Sequence, residues 1–130
     1  MLQSVVAVGA GAAAGAWLRW GLSAWLNPVF PTIPMGTLAA NLGGGLLMGI
    51  AMSLLGHYEA LAPEVRLLVT TGFLGGLTTF STFSGEATTL LTRGQYGWTA
   101  AIIGLHVVGS IAMTIAGIAL TDWLLAGRAS

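Results

Sequence analysis

From Gly94 to Thr121 the chain carries no Asp, Glu, Lys or Arg, and a second such run extends from Leu67 to Gly85. A helix of about 20 residues spans the roughly 30 Å hydrocarbon core of a bilayer, so these runs are long enough to cross one. The composition agrees: 55% of the chain is hydrophobic and 6% is charged, against about 25% charged in soluble proteins. The expectation is an all-α membrane protein with four transmembrane helices, near Leu2–Trp25, Pro34–Leu55, Pro63–Thr92 and Gln95–Leu125, forming one domain over 1–130. The small apolar residues of the start resemble a signal peptide. With no basic n-region, and with the segment running on into Trp17, Arg19, Trp20 and Trp25, it reads as a retained first helix.

The third of these crossings is a poor helix in its middle. Gly75 and Gly76 each cost about 1 kcal/mol relative to Ala in a helix interior. Thr78, Thr79, Ser81 and Thr82 follow, with hydroxyls that compete for backbone hydrogen bonds. Irregular backbone at membrane depth is tolerated where protein buries it or where it lines a wet cavity. A helix broken near 75–80 is therefore expected, and such breaks mark ion and solute sites.

Elsewhere the chain supplies small and polar residues in register. Ala7, Gly11 and Gly15 recur every four residues, a pattern that lets a second helix approach closely. Thr37, Asn41, Gly45 and Gly49 share a face of the second helix, and its glycines favour contact with the third helix or with a second subunit. His106, Ser110 and Thr114 draw a polar line down the fourth. Glu86 is a carboxylate within or at the end of the third helix, and a carboxylate in a membrane is a functional candidate. Arg19 sits among tryptophans suited to the headgroup level, either snorkelling to the interface or charging a pore mouth. Pro34 suits the first turn of the second helix. His57 lacks a second ligand nearby and reads as a surface residue.

Four crossings put Arg66 and Arg128 on one side and Arg19 and Arg93 on the other. Orientation is normally set by an excess of Lys and Arg in cytoplasmic loops. A balanced count predicts insertion in both orientations, and hence a dual-topology antiparallel homodimer.

Whole classes of chemistry are excluded. The chain has no cysteine, so disulfides, thiolate metal sites and cysteine nucleophiles are absent. There is no basic run for nucleic acid and no hydrolase or phosphate-binding motif, so an enzyme is not expected. The polar inventory consists mainly of donors: the hydroxyls of Thr37, Ser81, Thr82, Ser84, Ser110 and Thr114 and the Asn41 amide. Phe80 and Phe83 stand beside them, and an aromatic ring carries a positive edge. Donors and ring edges favour an anion over a cation, and a path of weak sites suits conduction.

Gly36-Thr37 followed by Asn41, and the run Gly72-Phe73-Leu74-Gly75-Gly76-Leu77-Thr78-Thr79-Phe80-Ser81-Thr82-Phe83-Ser84 with Glu86, resemble the Fluc (CrcB) fluoride channels over nearly the whole chain. His106 departs from that pattern, standing where many members have tyrosine. The resemblance implies an antiparallel homodimer in the bacterial inner membrane with two pores that passively export fluoride. It implies that Phe80 and Phe83 line the path, that Asn41 reaches into it, and that Ser81, Thr82, Ser84, Ser110 and Thr114 form a polar track. Thr37 and Glu86 would group near one pore end, Arg19 would stand at the vestibule, and His106 would lie along the path. Backbone carbonyls of Gly75 and Thr78 from both subunits would hold a central structural Na⁺. Two other readings compete: a proton-coupled exporter of the small multidrug-resistance type, which needs a carboxylate on the first helix, and a non-transporting membrane subunit.

Overall fold

The computed structural model describes residues 1–128; Ala129 and Ser130, inside the expected single domain, lie outside the described residues. Every regular element among the described residues is helical. Helix α1 covers Leu2–Leu26, α2 covers Met35–His57 and α5 covers Tyr96–Ala126. Each of these three is long and apolar enough to cross a membrane.

The region between α2 and α5 is built differently. An α-helical turn, Pro63–Leu67, widens into a π-helical stretch, Leu68–Leu74, and narrows again over Gly75–Leu77; together these form α3 (63–77). The chain then runs extended through Thr78 and Thr79 before α4, Phe80–Thr92. Within the wide stretch Thr70 Oγ1 donates to the Arg66 carbonyl at 2.8 Å, so a side chain competes for an acceptor of the main-chain ladder.

The break thus lies later than the glycines. Gly75 is itself right-handed helical, with φ −63° and ψ −36°, and the non-helical residues are Thr78 and Thr79. Gly76 serves packing instead: a Cβ there would stand 2.3 Å from the Ala12 carbonyl oxygen. From the other side, a Cβ at Gly11 would meet the Leu68 carbonyl at 2.4 Å, and one at Gly15 the Phe73 carbonyl at 2.1 Å. Ala7, Gly11 and Gly15 are the buried residues of α1, so the small-residue stripe seats α1 on α3 backbone to backbone.

Helices α2 and α5 pair by the same device. A Cβ at Gly45 would lie 2.8 Å from the Ser110 carbonyl, one at Gly49 2.0 Å from the Thr114 carbonyl, and one at Gly117 2.3 Å from the Leu46 carbonyl. The glycine face of α2, expected against the third helix or a second subunit, is therefore filled mainly by the last helix. Only Gly44 turns toward the break, against the Thr78 methyl.

Two apolar clusters fill the remaining space. One joins Ile33, Leu38, Phe83, Leu90 and Ile102. The other joins Ala40, Ala51, Leu74 and Leu77. They flank the break and fix the start of α4 between α2 and α5. The connections are tight. Asn27 Oδ1 accepts from the Gly36 and Thr37 N–H groups at 2.8 and 3.2 Å, capping α2 from nine and ten residues away. Pro34 stands just outside the helix rather than in its first turn. At the end of α4, Gly94 takes φ +72°, which a residue with a Cβ adopts at a cost, and turns the chain into α5.

Candidate functional site

Breaking a helix strands carbonyl oxygens, and each must find another partner or a polar surrounding. Two of the N–H groups that a continuous helix would have offered are diverted to side chains here. The Thr79 N–H, helical partner of the Gly75 carbonyl, donates to Asn41 Oδ1 at 2.7 Å. The Thr82 N–H, helical partner of the Thr78 carbonyl, donates to Thr79 Oγ1 at 3.2 Å, so Thr79 caps α4. The Gly76 carbonyl accepts from Arg19 Nε at 3.0 Å. Gly75 lies on the exposed face of the break and Thr78 is half-buried.

Arg19 therefore neither snorkels away nor floats free. It reaches back from α1 to support the break.

Asn41, on α2, holds the other side. Its amide accepts from the Thr79 N–H and donates to the Thr79 carbonyl at 3.0 Å, closing a ring with one residue's backbone. The same Nδ2 lies 2.9 Å from His106 Nδ1. All three residues are buried. His106 in turn stacks on Phe83, with ring centroids 4.6 Å apart and planes at 25°. Phe83 meets Phe80 edge to face at 5.5 Å and 75°.

These groups stand along a cleft of about 480 Å³ between α2, the break and α5. Asn41, Thr79, Phe80, Phe83, His106, Ser110 and Thr114 all line it, and no Asp, Glu, Lys or Arg does. The single proton of Thr114 Oγ1 is shared between the Gly45 carbonyl of α2 at 2.9 Å and the Ser110 carbonyl of its own helix at 3.0 Å, so this hydroxyl ties α5 to α2. The polar line on α5 is in this way part interhelical bond and part cleft wall.

The remaining expected site residues are placed elsewhere. Thr37 Oγ1 donates to Glu86 Oε1 at 2.6 Å, which brings these two together away from the cleft. Glu86 shares a smaller pocket of about 280 Å³ with Thr89, Arg93 and Gln95. Ser81, Thr82 and Ser84 lie on the exposed face of α4, outside the cleft lining. Thr82 Oγ1 accepts from Thr79 Oγ1 at 2.9 Å. Phe80 is 76% exposed and Phe83 is 7% exposed, so the paired rings face different surroundings.

Two residues that organise this region have roles that the sequence analysis does not assign. Thr79 offers the backbone that Asn41 clamps and the hydroxyl that caps α4. Its signal was the spacing of Thr79 to Thr82, a helix-start pattern hidden in a run of hydroxyl residues. Asn27 caps α2 from nine and ten residues away, and nothing local in the sequence ties it to residues 36 and 37.

At the opposite end of α2 and α5 lies an open groove of about 610 Å³ beside Ser53, His57 and Asp122, where Ser53 Oγ donates to Asp122 Oδ1. His57 is exposed, with its ring edge-on to Tyr58 at 4.9 Å. No group of three His, Asp or Glu able to hold a metal ion occurs among the described residues.

Residues 6–118 match the family described as CrcB-like protein, Camphor Resistance (CrcB). Among curated proteins the chain is 60% identical to a fluoride-specific ion channel FluC of Nitrosospira multiformis, covering 95% of this chain and 96% of that one. It is 57% identical to the protein of the same name from Aromatoleum aromaticum, over 94% of each chain. The corresponding protein of Pseudomonas putida is 52% identical, over 98% of this chain and 100% of its own. With three long apolar helices and these relatives, the chain is a multi-pass integral membrane protein. A family match across most of the sequence and relatives at more than half identity lead to one conclusion: the chain belongs to the CrcB-like protein family.

Proposed function

We propose that this protein is a fluoride-selective ion channel that lets fluoride leave the cytoplasm passively, and that it works as an antiparallel, dual-topology homodimer with two pores. The observation that carries the reading is the cleft beside the break. Hydroxyls, aromatic rings and the His106 imidazole line it, and no Asp, Glu, Lys or Arg does. Fluoride holds its water tightly, so a path must offer replacement donors without a deep charge well. The names of the relatives supply the ion.

In this proposal Phe80 and Phe83 present ring edges to the anion, and Ser110 extends the track along α5. Asn41 holds the break in place beside the path. Thr37 and Glu86 form a bonded pair at one end, and the guanidinium of Arg19 adds positive charge behind the break. The 63–92 region makes the fourth crossing, interrupted at Thr78 and Thr79. An embedded Phe80 at 76% exposure and the exposed hydroxyl face of Ser81, Thr82 and Ser84 support a second copy, because a row of polar groups facing lipid is costly. Covered by a partner, that face of α4 would complete a polar track.

The family also implies a structural Na⁺, and the break suits one. The Gly75 and Thr78 carbonyls have lost their helical N–H partners to Asn41 and to the Thr79 hydroxyl. Carbonyl oxygens suit a hard cation. A bound ion would supply positive charge to these oxygens and tie the two breaks of a dimer together. Gly75 and Thr78 would hold it through their backbones alone.

The test is ion efflux from liposomes containing the purified protein. Fluoride loss without chloride loss is expected; absence of fluoride flux refutes the reading. The small multidrug-resistance reading needs an embedded carboxylate on the first helix, and α1 contains no acidic residue. A non-transporting subunit would give no flux at all.

A further inference from the structure

The hydrogen bonds around Asn41 fix more than its own position. A backbone N–H only donates and a backbone carbonyl only accepts. Since the amide faces both groups of Thr79, the atom toward the N–H must be the oxygen and the atom toward the carbonyl must be the nitrogen. The orientation of Asn41 is set by logic rather than by choice between two similar atoms. Its NH₂ has two hydrogens: one goes to the Thr79 carbonyl, and the other points to His106 Nδ1 at 2.9 Å. That ring nitrogen must therefore be an acceptor. A neutral imidazole carries one proton, which leaves it on Nε2.

We propose that His106 is a positioning residue, held as the neutral Nε2–H tautomer, and that its Nδ1 lone pair locks Asn41 in the one orientation that clamps Thr79. The inference deepens the channel reading, since the clamp shapes the break beside the path, and it rests on that reading for its functional meaning. One further observation supports it. His106 is 4% exposed and stacks on Phe83, so the ring has little freedom to turn and offer its other nitrogen. Nε2 is buried with no hydrogen-bond partner, so the proton it carries goes unmet, a cost set against the bond that Nδ1 accepts from Asn41. Turning the ring would remove an acceptor from Asn41 and leave that NH₂ hydrogen unmet. Protonating Nδ1 would set two donors against each other across 2.9 Å, so only the neutral ring serves.

No charged side chain lines the cleft on the elements packed around this ring. On α4, Glu86 is engaged by Thr37. On α1, Arg19 is engaged by the Gly76 carbonyl. Nothing ionic competes with Asn41 for the imidazole.

The experiment reads the latch directly, in the full-length protein reconstituted in lipid nanodiscs. The chain has two histidines, so ¹⁵N-histidine labelling gives two imidazoles, and a His57→Gln variant identifies that of His106. The expected result is a protonated Nε2 and a bare Nδ1; a protonated Nδ1 overturns the proposal. The second readout is hydrogen exchange at the Thr79 amide. His106→Phe keeps a stacking ring and drops the acceptor, whereas His106→Gln keeps an acceptor. Loss of one hydrogen bond should speed Thr79 exchange about five- to tenfold in His106→Phe and leave His106→Gln within about twofold of the parent. Equal exchange in the two variants overturns the proposal. If His106→Phe does not fold, the tautomer of the parent protein still decides. Neither readout measures ion flux, so failure of the latch and failure of the channel reading remain distinguishable.

Discussion

Gly49→Ala tests the packing that holds α2 against α5. The added Cβ would lie 2.0 Å from the Thr114 carbonyl oxygen and 2.9 Å from the Ile118 nitrogen, both backbone atoms that no rotamer change can move aside. A carbon resting against a carbonyl oxygen settles at about 3.3–3.6 Å, so the helices must part by more than about 1 Å along that line. The Thr114 Oγ1 bond to the Gly45 carbonyl, 2.9 Å in the parent, lies one turn away and stretches with them. Overpacking costs about 1–3 kcal/mol, and a lost hydrogen bond adds about 0.5–1.5 kcal/mol. The expected destabilisation is about 1.5–4.5 kcal/mol, a sum of those two terms. Gly56→Ala, on the same helix with nothing within 4 Å of its added carbon, is the control. Reversible unfolding in mixed micelles titrated with SDS, followed by circular dichroism at fixed protein concentration, measures both. If the two variants agree within about 0.5 kcal/mol, the ordinary scatter of surface substitutions, the glycine-to-backbone packing is wrong.

Three other substitutions probe the site. Asn41→Leu strands the N–H of buried Thr79, while the Thr79 carbonyl keeps the first intrahelical bond of α4; at about 1–3 kcal/mol for an unmet group it should lower stability measurably and reduce fluoride efflux from liposomes, and unchanged values of both would remove the clamp. Phe80→Ile keeps an apolar side chain but loses the ring edge, so efflux should fall while size-exclusion chromatography shows assembly unaltered; full flux would mean that Phe80 does not line the path. Arg19→Leu removes the bond to the Gly76 carbonyl, and hydrogen exchange at residues 76–80 should rise by about tenfold, since bonds from charged donors contribute about 1.5–3 kcal/mol; unchanged exchange would show that Arg19 does not support the break.

Several parts of this molecule were legible because they depend on local spacing alone. The three long helices begin and end within two residues of the expected bounds, an uncertainty ordinary for helix ends. The stripe of Ala7, Gly11 and Gly15 proclaimed close packing, and it is the buried face of α1. The pairing of Thr37 with Glu86 came from the family resemblance and recurs as a hydrogen bond. Other parts were legible only in outline. Glycine signals either a weak helix or a close neighbour, and spacing does not tell these apart. For Gly76 the neighbour decides: Ala12 needs the space, and the helix continues to Leu77.

What the sequence by itself determined is the solvent and the alphabet. Charge-free runs of helix-spanning length commit the chain to a bilayer, and a polar set made of hydroxyls, one amide and phenylalanines favours an anion. The tertiary structure decided where the third helical region breaks and what that break is worth. Residues 41, 79 and 106 are far apart in sequence, and nothing local ties the Asn41 amide to the backbone of Thr79 rather than to open water. Only when glycines bring α2 and α5 into backbone contact does Asn41 reach Thr79 and His106. The break at Thr78 and Thr79 persists because those long-range bonds replace the helical ones it gave up.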